Sequence, residues 1–216
     1  MNAITLSAFV FVMAVHTRGL VRALISIAWP AHRRWPPPLD APPQSPLRQR
    51  LTSATTALGT PLVAILDWNS FVFDHPARFF VAVALIGLGS FPALAHRQLG
   101  TSESLGQAKP GRKLVLETEG PYAFSRNPQY VGAVAVYLGI AVGANSILGG
   151  ISALWMICGL VANVFAEEPW MQEKFGAAYE EYCQRVPRFV PMRWKDEYPL
   201  SPKAPLHQHR PKHRTK

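Results

Sequence analysis

The chain has 216 residues, 49% of them hydrophobic and 16% charged, with a formal charge of +9 at neutral pH. The charges crowd into a few segments and leave long apolar stretches between them, the distribution of a chain that meets lipid. Lys and Arg lie between those stretches and in the tail, with no single basic face interleaved with aromatics, which argues against nucleic acid; Cys158 and Cys183 have neither metal-ligand spacing nor the count of a disulfide scaffold, so no metal is expected.

In chain order, residues 1–17 are free of charge but short, and Arg18 and Arg22 interrupt their continuation toward Trp29, so one span followed by an interfacial stretch is expected. A signal peptide would need positive charge before the apolar region and a small-residue cleavage site after it, and neither is present. From Pro30 the chain reads Arg33, Arg34, Trp35, Pro36, Pro37 and Pro38, then Pro42, Pro43 and Pro46, which predicts a stiff, extended basic loop over residues 30–50. Two apolar runs follow, 51–73 and 79–95. Pro61 and Pro92 inside them are tolerated by membrane helices when neighbours satisfy the freed backbone groups. Asp67 interrupts the first run and is expected at its boundary, beside Trp68 and Asn69, where its replacement by Asn would change little.

The clearest segment is 127–166, forty residues without Asp, Glu, Lys or Arg. One crossing takes about 20 helical residues, so this is two. Gly143, Ala144, Asn145 and Ser146 form a small polar turn in its middle, which predicts a helical hairpin, 128–142 and 146–166. Beyond it, Met171, Phe175, Tyr179, Tyr182 and Val186 recur at steps of three and four, the pattern of an amphipathic helix. The tail 196–216 is basic, proline-rich and expected to be disordered.

The fold expected is therefore all-α, an integral membrane bundle of about five transmembrane helices with a cytosolic C-terminal amphipathic helix. Arg33, Arg34, Arg48 and Arg50 assign the first loop to the cytosol, and the loop 67–76 has no Lys or Arg. The N-terminus then lies outside, the C-terminus inside, and the polar stretch 96–126 shares the cytosolic side with everything after Glu167. Three regions result: 1–96 with N-terminal helices and the proline-rich loop, 97–195 around the hairpin, and the tail 196–216.

Two clusters flank the hairpin. Before it stand Glu119, Gly120, Pro121, Tyr122, Arg126, Asn127, Pro128, Gln129 and Tyr130. Asn127 has the residue type of an N-cap and Pro128 that of a first helical position, while Arg126, Tyr122 and Tyr130 suit the lipid interface. After the hairpin come Glu167 and Glu168, two carboxylates that are costly near lipid unless a cation such as Arg126, or a bound cofactor, answers them. Interfacial anchoring accounts for the same residues without chemistry.

The order of pieces is Gly-Pro-Tyr, Asn-Pro-Gln-Tyr-Val-Gly, a charge-free hairpin, Glu-Glu, Phe-Gly, two tyrosines and Val-Pro-Arg-Phe-Val-Pro. It resembles the isoprenylcysteine carboxyl methyltransferase and phospholipid methyltransferase group of membrane enzymes, from about residue 100 to residue 192. The resemblance implies S-adenosylmethionine as cofactor and a lipophilic or small-molecule methyl acceptor reached from the bilayer at the cytosolic face. It implies a pocket containing Tyr122, Asn127, Pro128, Gln129 and Tyr130, closed by Glu167 from the second helix, with Gln107, Leu114, Val115, Leu116 and Glu117 added through the preceding loop. Arg126 and Glu167 are expected as the catalytic residues, and Asn163 in a substrate position.

Two positions depart from the group. Its members often have His at the position of Asn127, and prenylcysteine enzymes carry Arg at that of Asn163. The cofactor supplies an activated methyl on a cationic sulfonium; aromatic faces and a carboxylate suit that charge. The rival within enzymes is an NADPH-dependent steroid-reductase-like protein, whose Tyr-x-Gly-Glu pattern is here Tyr130, Val131, Gly132 and Ala133. A non-catalytic lipid-binding member of the fold is the third reading.

Overall fold

The computed structural model describes residues 2–32, 46–71, 75–98 and 116–189, and every regular element among them is helical. The long helices are α1 (Ala3–Ala28), α2 (Pro46–Leu66), α3 (Ala77–Gln98), α4 (Pro128–Ala144) and α5 (Ile147–Phe175), followed by a short α6 (Ala177–Arg185). Helices α1 and α5 are long and apolar enough to cross a membrane; the apolar parts of α2 and α3, Ser53–Leu66 and Ala77–Pro92, and all of α4 are shorter. Most of the proline-rich loop, the basic tail, and Gln107, Leu114 and Val115 lie outside the described residues.

The elements differ from expectation at two ends, for local reasons. Helix α1 runs unbroken past Arg18 and Arg22 to Ala28, because Arg is a good helix former and Arg18 is exposed, off the buried face of Thr5, Val12, His16, Ala23 and Ser26. Helix α5 continues past Glu167 and Pro169 to Phe175 and ends at Gly176, whose φ of 51° is a backbone conformation that favours glycine. The expected amphipathic repeat is thereby divided, with Met171 and Phe175 on α5 and Tyr179 and Tyr182 on α6.

Helices α4 and α5 form the hairpin, with α3 packed along α4, α1 along α5, and α2 touching α1, α4 and α5. The α3–α4 seam is so close that a Cβ on Gly89 would stand 2.4 Å from the Gly132 carbonyl oxygen, and one on Gly132 2.3 Å from that of Gly89. Backbone against backbone at this distance admits only glycine, as in small-residue membrane interfaces. Between α1, α2 and α5 runs a buried polar chain, His16 Nε2 to Thr60 Oγ1 at 3.1 Å and Thr60 Oγ1 to Ser152 Oγ at 2.9 Å. It fixes the rotation of three helices in an apolar interior.

One end of the bundle is closed by the hairpin turn. Asn145 takes the left-handed conformation, φ 51° and ψ 46°, that Asn tolerates, and Ser146 Oγ caps α5 by accepting from Gly149 N at 2.8 Å. Asp67, just past α2, accepts from Ser146 Oγ (2.8 Å), Leu148 N (2.9 Å) and Ser70 Oγ (2.5 Å). Asn69 N donates to the Ala144 carbonyl at 3.0 Å, Arg78 of α3 donates to Asn69 Oδ1 at 2.6 Å, and Thr5 of α1 donates to the Leu66 carbonyl at 3.2 Å. Asp67 thus lies at the boundary its sequence position predicts, but with three partners rather than as a bystander.

Candidate functional site

The opposite end of the bundle gathers the two polar clusters. A short 3-10 turn, Gly120–Ala123, leads to Pro128, which opens α4, and α5 brings Glu167 back beside that opening. Asn127 precedes α4 as predicted, yet its side chain does not cap the helix; its Nδ2 donates to the Arg188 carbonyl at 2.9 Å. The Asn127 backbone amide instead donates to Ser125 Oγ at 3.1 Å.

Tyr130 sits on the first turn of α4 and its hydroxyl donates to Glu167 Oε1 at 2.5 Å, joining the two helices of the hairpin. Glu167 is 4% exposed, so this partner offsets part of the cost of a buried carboxylate. Gln129, next to Tyr130, donates from Nε2 to the Tyr122 hydroxyl at 2.9 Å. Burial holds the Tyr122 phenol above its ordinary range, and the negative charges of Glu117 and Glu167 push it further up against the opposing Gln129 bond. Hydrogen bonds thus join Gln129 to Tyr122 and Tyr130 to Glu167, four residues that the resemblance assigns to the pocket.

The second glutamate has its own partners. Arg188 grips Glu168 with two bonds, Nε to Oε1 at 2.7 Å and Nη2 to Oε2 at 2.8 Å, and Arg126 Nη1 lies 3.2 Å from Glu168 Oε1. The expected cation for the glutamate pair is thus Arg126, but it answers Glu168 rather than Glu167. Arg126 Nη1 also contacts Cys183 Sγ, and the Arg126 amide donates to the Pro187 carbonyl at 2.9 Å. The Arg188 guanidinium stacks over the Phe165 ring at 4.6 Å. The hydrogen bonds that Arg188 donates to Glu168 hold its pKa above the ordinary value.

Helix α6 covers this end. Tyr179, Tyr182 and Val186 are buried together against Leu116, Met171, Phe175 and Cys183, and the Tyr182 hydroxyl donates to the Tyr122 carbonyl at 2.7 Å. Leu116 thus contributes packing, while Glu117 accepts from Glu119 N at 3.3 Å. Pro128 is buried at the helix start. Asn163 lies half-buried one turn before Glu167, beside Ala162, which packs with Ala166 on Ala23 of α1. Arg188, Glu168 and Tyr182 stand in the motifs noted in the sequence but were not assigned to the site; the Val-Pro-Arg motif and the adjacency of the two glutamates were the available signals.

Two buried donors here, Arg126 Nε and Trp170 Nε1, have no acceptor among the described residues, and Trp170 is 1% exposed. Buried polar groups are normally paired, so such donors fit a site that receives an acceptor from outside the chain. Among the described residues no group of three or more His, Cys, Asp or Glu could hold a metal ion.

Residues 74–178 match the phospholipid methyltransferase family. Similar curated proteins include the Delta(14)-sterol reductase LBR of Gallus gallus, 37% identical over 70 residues, which are 32% of this chain and 11% of that protein. Another is the protein-S-isoprenylcysteine O-methyltransferase of Schizosaccharomyces pombe, 29% identical over 118 residues, 51% of this chain and 48% of that protein. The matched stretches thus span about a tenth and about half of these relatives. No solved structure matches the chain.

Proposed function

We propose that this chain, which belongs through residues 74–178 to the phospholipid methyltransferase family of membrane proteins, is a multi-pass S-adenosylmethionine-dependent methyltransferase acting on a lipophilic or small-molecule acceptor. The observation that carries the proposal is the Tyr130 to Glu167 bond, which brings the two family-matched ends of the hairpin into one polar, aromatic neighbourhood. The basic loop and tail orient this end toward the cytosol, where a soluble cofactor is supplied.

When bound, the cofactor supplies an activated methyl on a cationic sulfonium. Glu167, Tyr130 and Tyr122 offer a carboxylate and aromatic rings for positive charge. Arg126 and Trp170 offer N–H groups for the carboxylate of its methionine part. Gln129 orients the Tyr122 hydroxyl. Catalysis would then consist of holding donor and acceptor in line at the membrane boundary and excluding water. In this reading Asn163, one turn before Glu167, stands at the substrate position with an amide where prenylcysteine enzymes have a cation, which favours an acceptor without a carboxylate.

A second reading, an NADPH-dependent reductase, is favoured by the local similarity to the sterol reductase. One experiment separates them. In detergent, S-adenosylhomocysteine should raise the melting temperature and NADPH should not, because a ligand stabilises the state that binds it. Calorimetry should then give Glu167→Gln and Arg126→Ala affinities lower by roughly ten- to a hundredfold, the loss of a hydrogen bond to a charged group. Wild-type affinity in both variants would leave these residues as interfacial anchors.

A further inference from the structure

The two adjacent glutamates part company. Adjacent residues on a helix point about 100° apart. Glu167 turns to Tyr130, whereas Glu168 meets two arginines that come from distant parts of the chain. Arg126 stands just before α4 and Arg188 just after α6, so a single carboxylate on α5 ties together three segments. Two further bonds run beside it, from the Arg126 amide to the Pro187 carbonyl at 2.9 Å and from the Asn127 side chain, Nδ2, to the Arg188 carbonyl at 2.9 Å. Tyr182 adds a bond to the Tyr122 carbonyl, directly on a residue of the proposed pocket.

We infer that Glu168 and Arg188 are positioning residues, a buckle that holds the end of α6 on the loop 122–127 and thereby fixes Tyr122, Asn127 and the start of α4 for cofactor binding. This role rests on the cofactor reading proposed above. The forked bond explains why the residue is arginine: a planar guanidinium meets both carboxylate oxygens at once, and Lys could meet only one. The buckle is also asymmetric. The side chain of Arg188 is 37% exposed and that of Arg126 12%, so Arg188 is the member that can let go toward solvent while Arg126 stays with Glu168.

The test measures the segment and the pocket separately, on the full chain in detergent. Amide exchange of residues 179–189 without ligand should rise several-fold in Arg188→Gln and in Glu168→Gln, and calorimetric affinity for S-adenosylhomocysteine should fall about tenfold in each. Arg188→Lys should lie between wild type and Arg188→Gln in both readouts. Glu181→Gln, which removes only the exposed pair with Arg185 at 3.5 Å, should change neither. Unchanged exchange in Arg188→Gln would overturn the buckle, and so would faster exchange with wild-type affinity, because the segment would then not act on the pocket. A wild-type chain that binds no S-adenosylhomocysteine would sink the cofactor reading itself and this role with it. Wild-type binding with indifferent variants would sink the buckle alone.

Discussion

The two ends of the bundle treat carboxylates in opposite ways. At the hairpin turn Asp67, from the loop after α2, is answered by the Ser70 hydroxyl three residues on and by the Ser146 hydroxyl and Leu148 amide of the turn, all short neutral groups. At the other end Glu167 and Glu168 are answered by a tyrosine and two arginines that arrive from separate segments, and buried donors of Arg126 and Trp170 have no acceptor among the described residues. Hydroxyls and an amide around one acid lock a loop. Long cations around an acid tie distant segments of the chain to one another.

The comparison breaks most visibly through Asp67. Asp67→Ala removes the acceptor shared by Ser70, Ser146 and Leu148, and should lower thermal stability in detergent by about 2–3 kcal/mol while cofactor affinity per folded molecule stays within about twofold. A matching loss of affinity would show that the two ends are one unit. The gentler Asp67→Asn keeps an acceptor but not its charge and should cost about 1 kcal/mol.

The acid also carries a pH signature. Burial pushes the Asp67 carboxyl up, but the bonds from Ser70, Leu148 and Ser146 outweigh it and leave the group below its ordinary value of 3.8. A depressed native value means that Asp67 adds stability in full above pH 3.8, and that this is lost as the pH falls through the lower native value. Melting temperature should therefore decline less steeply below that point in Asp67→Asn than in wild type. Equal slopes would remove Asp67 from the account.

The smallest effect expected is at Asn127. Asn127→Ala should cost about 0.5–1.5 kcal/mol, the bond to the Arg188 carbonyl. Asn127→Ser sharpens the point. Serine is a good N-cap but too short to keep that cross-link, so it should not restore stability; full recovery would mean that Asn127 serves as a helix cap after all.

Much of the architecture was legible because its signals are local. Forty charge-free residues with a small polar turn, Asn145 and Ser146, describe a hairpin whose helices indeed meet at that turn. Asn127 and Pro128 mark the start of α4 whatever surrounds them, since Pro lacks the N–H that a first helical residue does not use. The end of α5 was less legible. Glu167 and Pro169 look like terminators in a one-dimensional reading, but the helix continues until Gly176, where the chain can turn.

By itself the sequence determined the helical class, the hairpin and that the polar segments before and after it share one end, because charge spacing and periodicity fix where helices begin and which side they return to; the grouping of Tyr122, Gln129, Tyr130 and Glu167 came from the family resemblance. Only the tertiary structure decided which glutamate takes which partner, that Arg126 belongs to Glu168, and that Arg188 closes the same cluster. Those pairings depend on the rotation of α5 about its axis and on the docking of α6, which are set by packing among helices distant in sequence, and a step of one residue turns a side chain by about 100°.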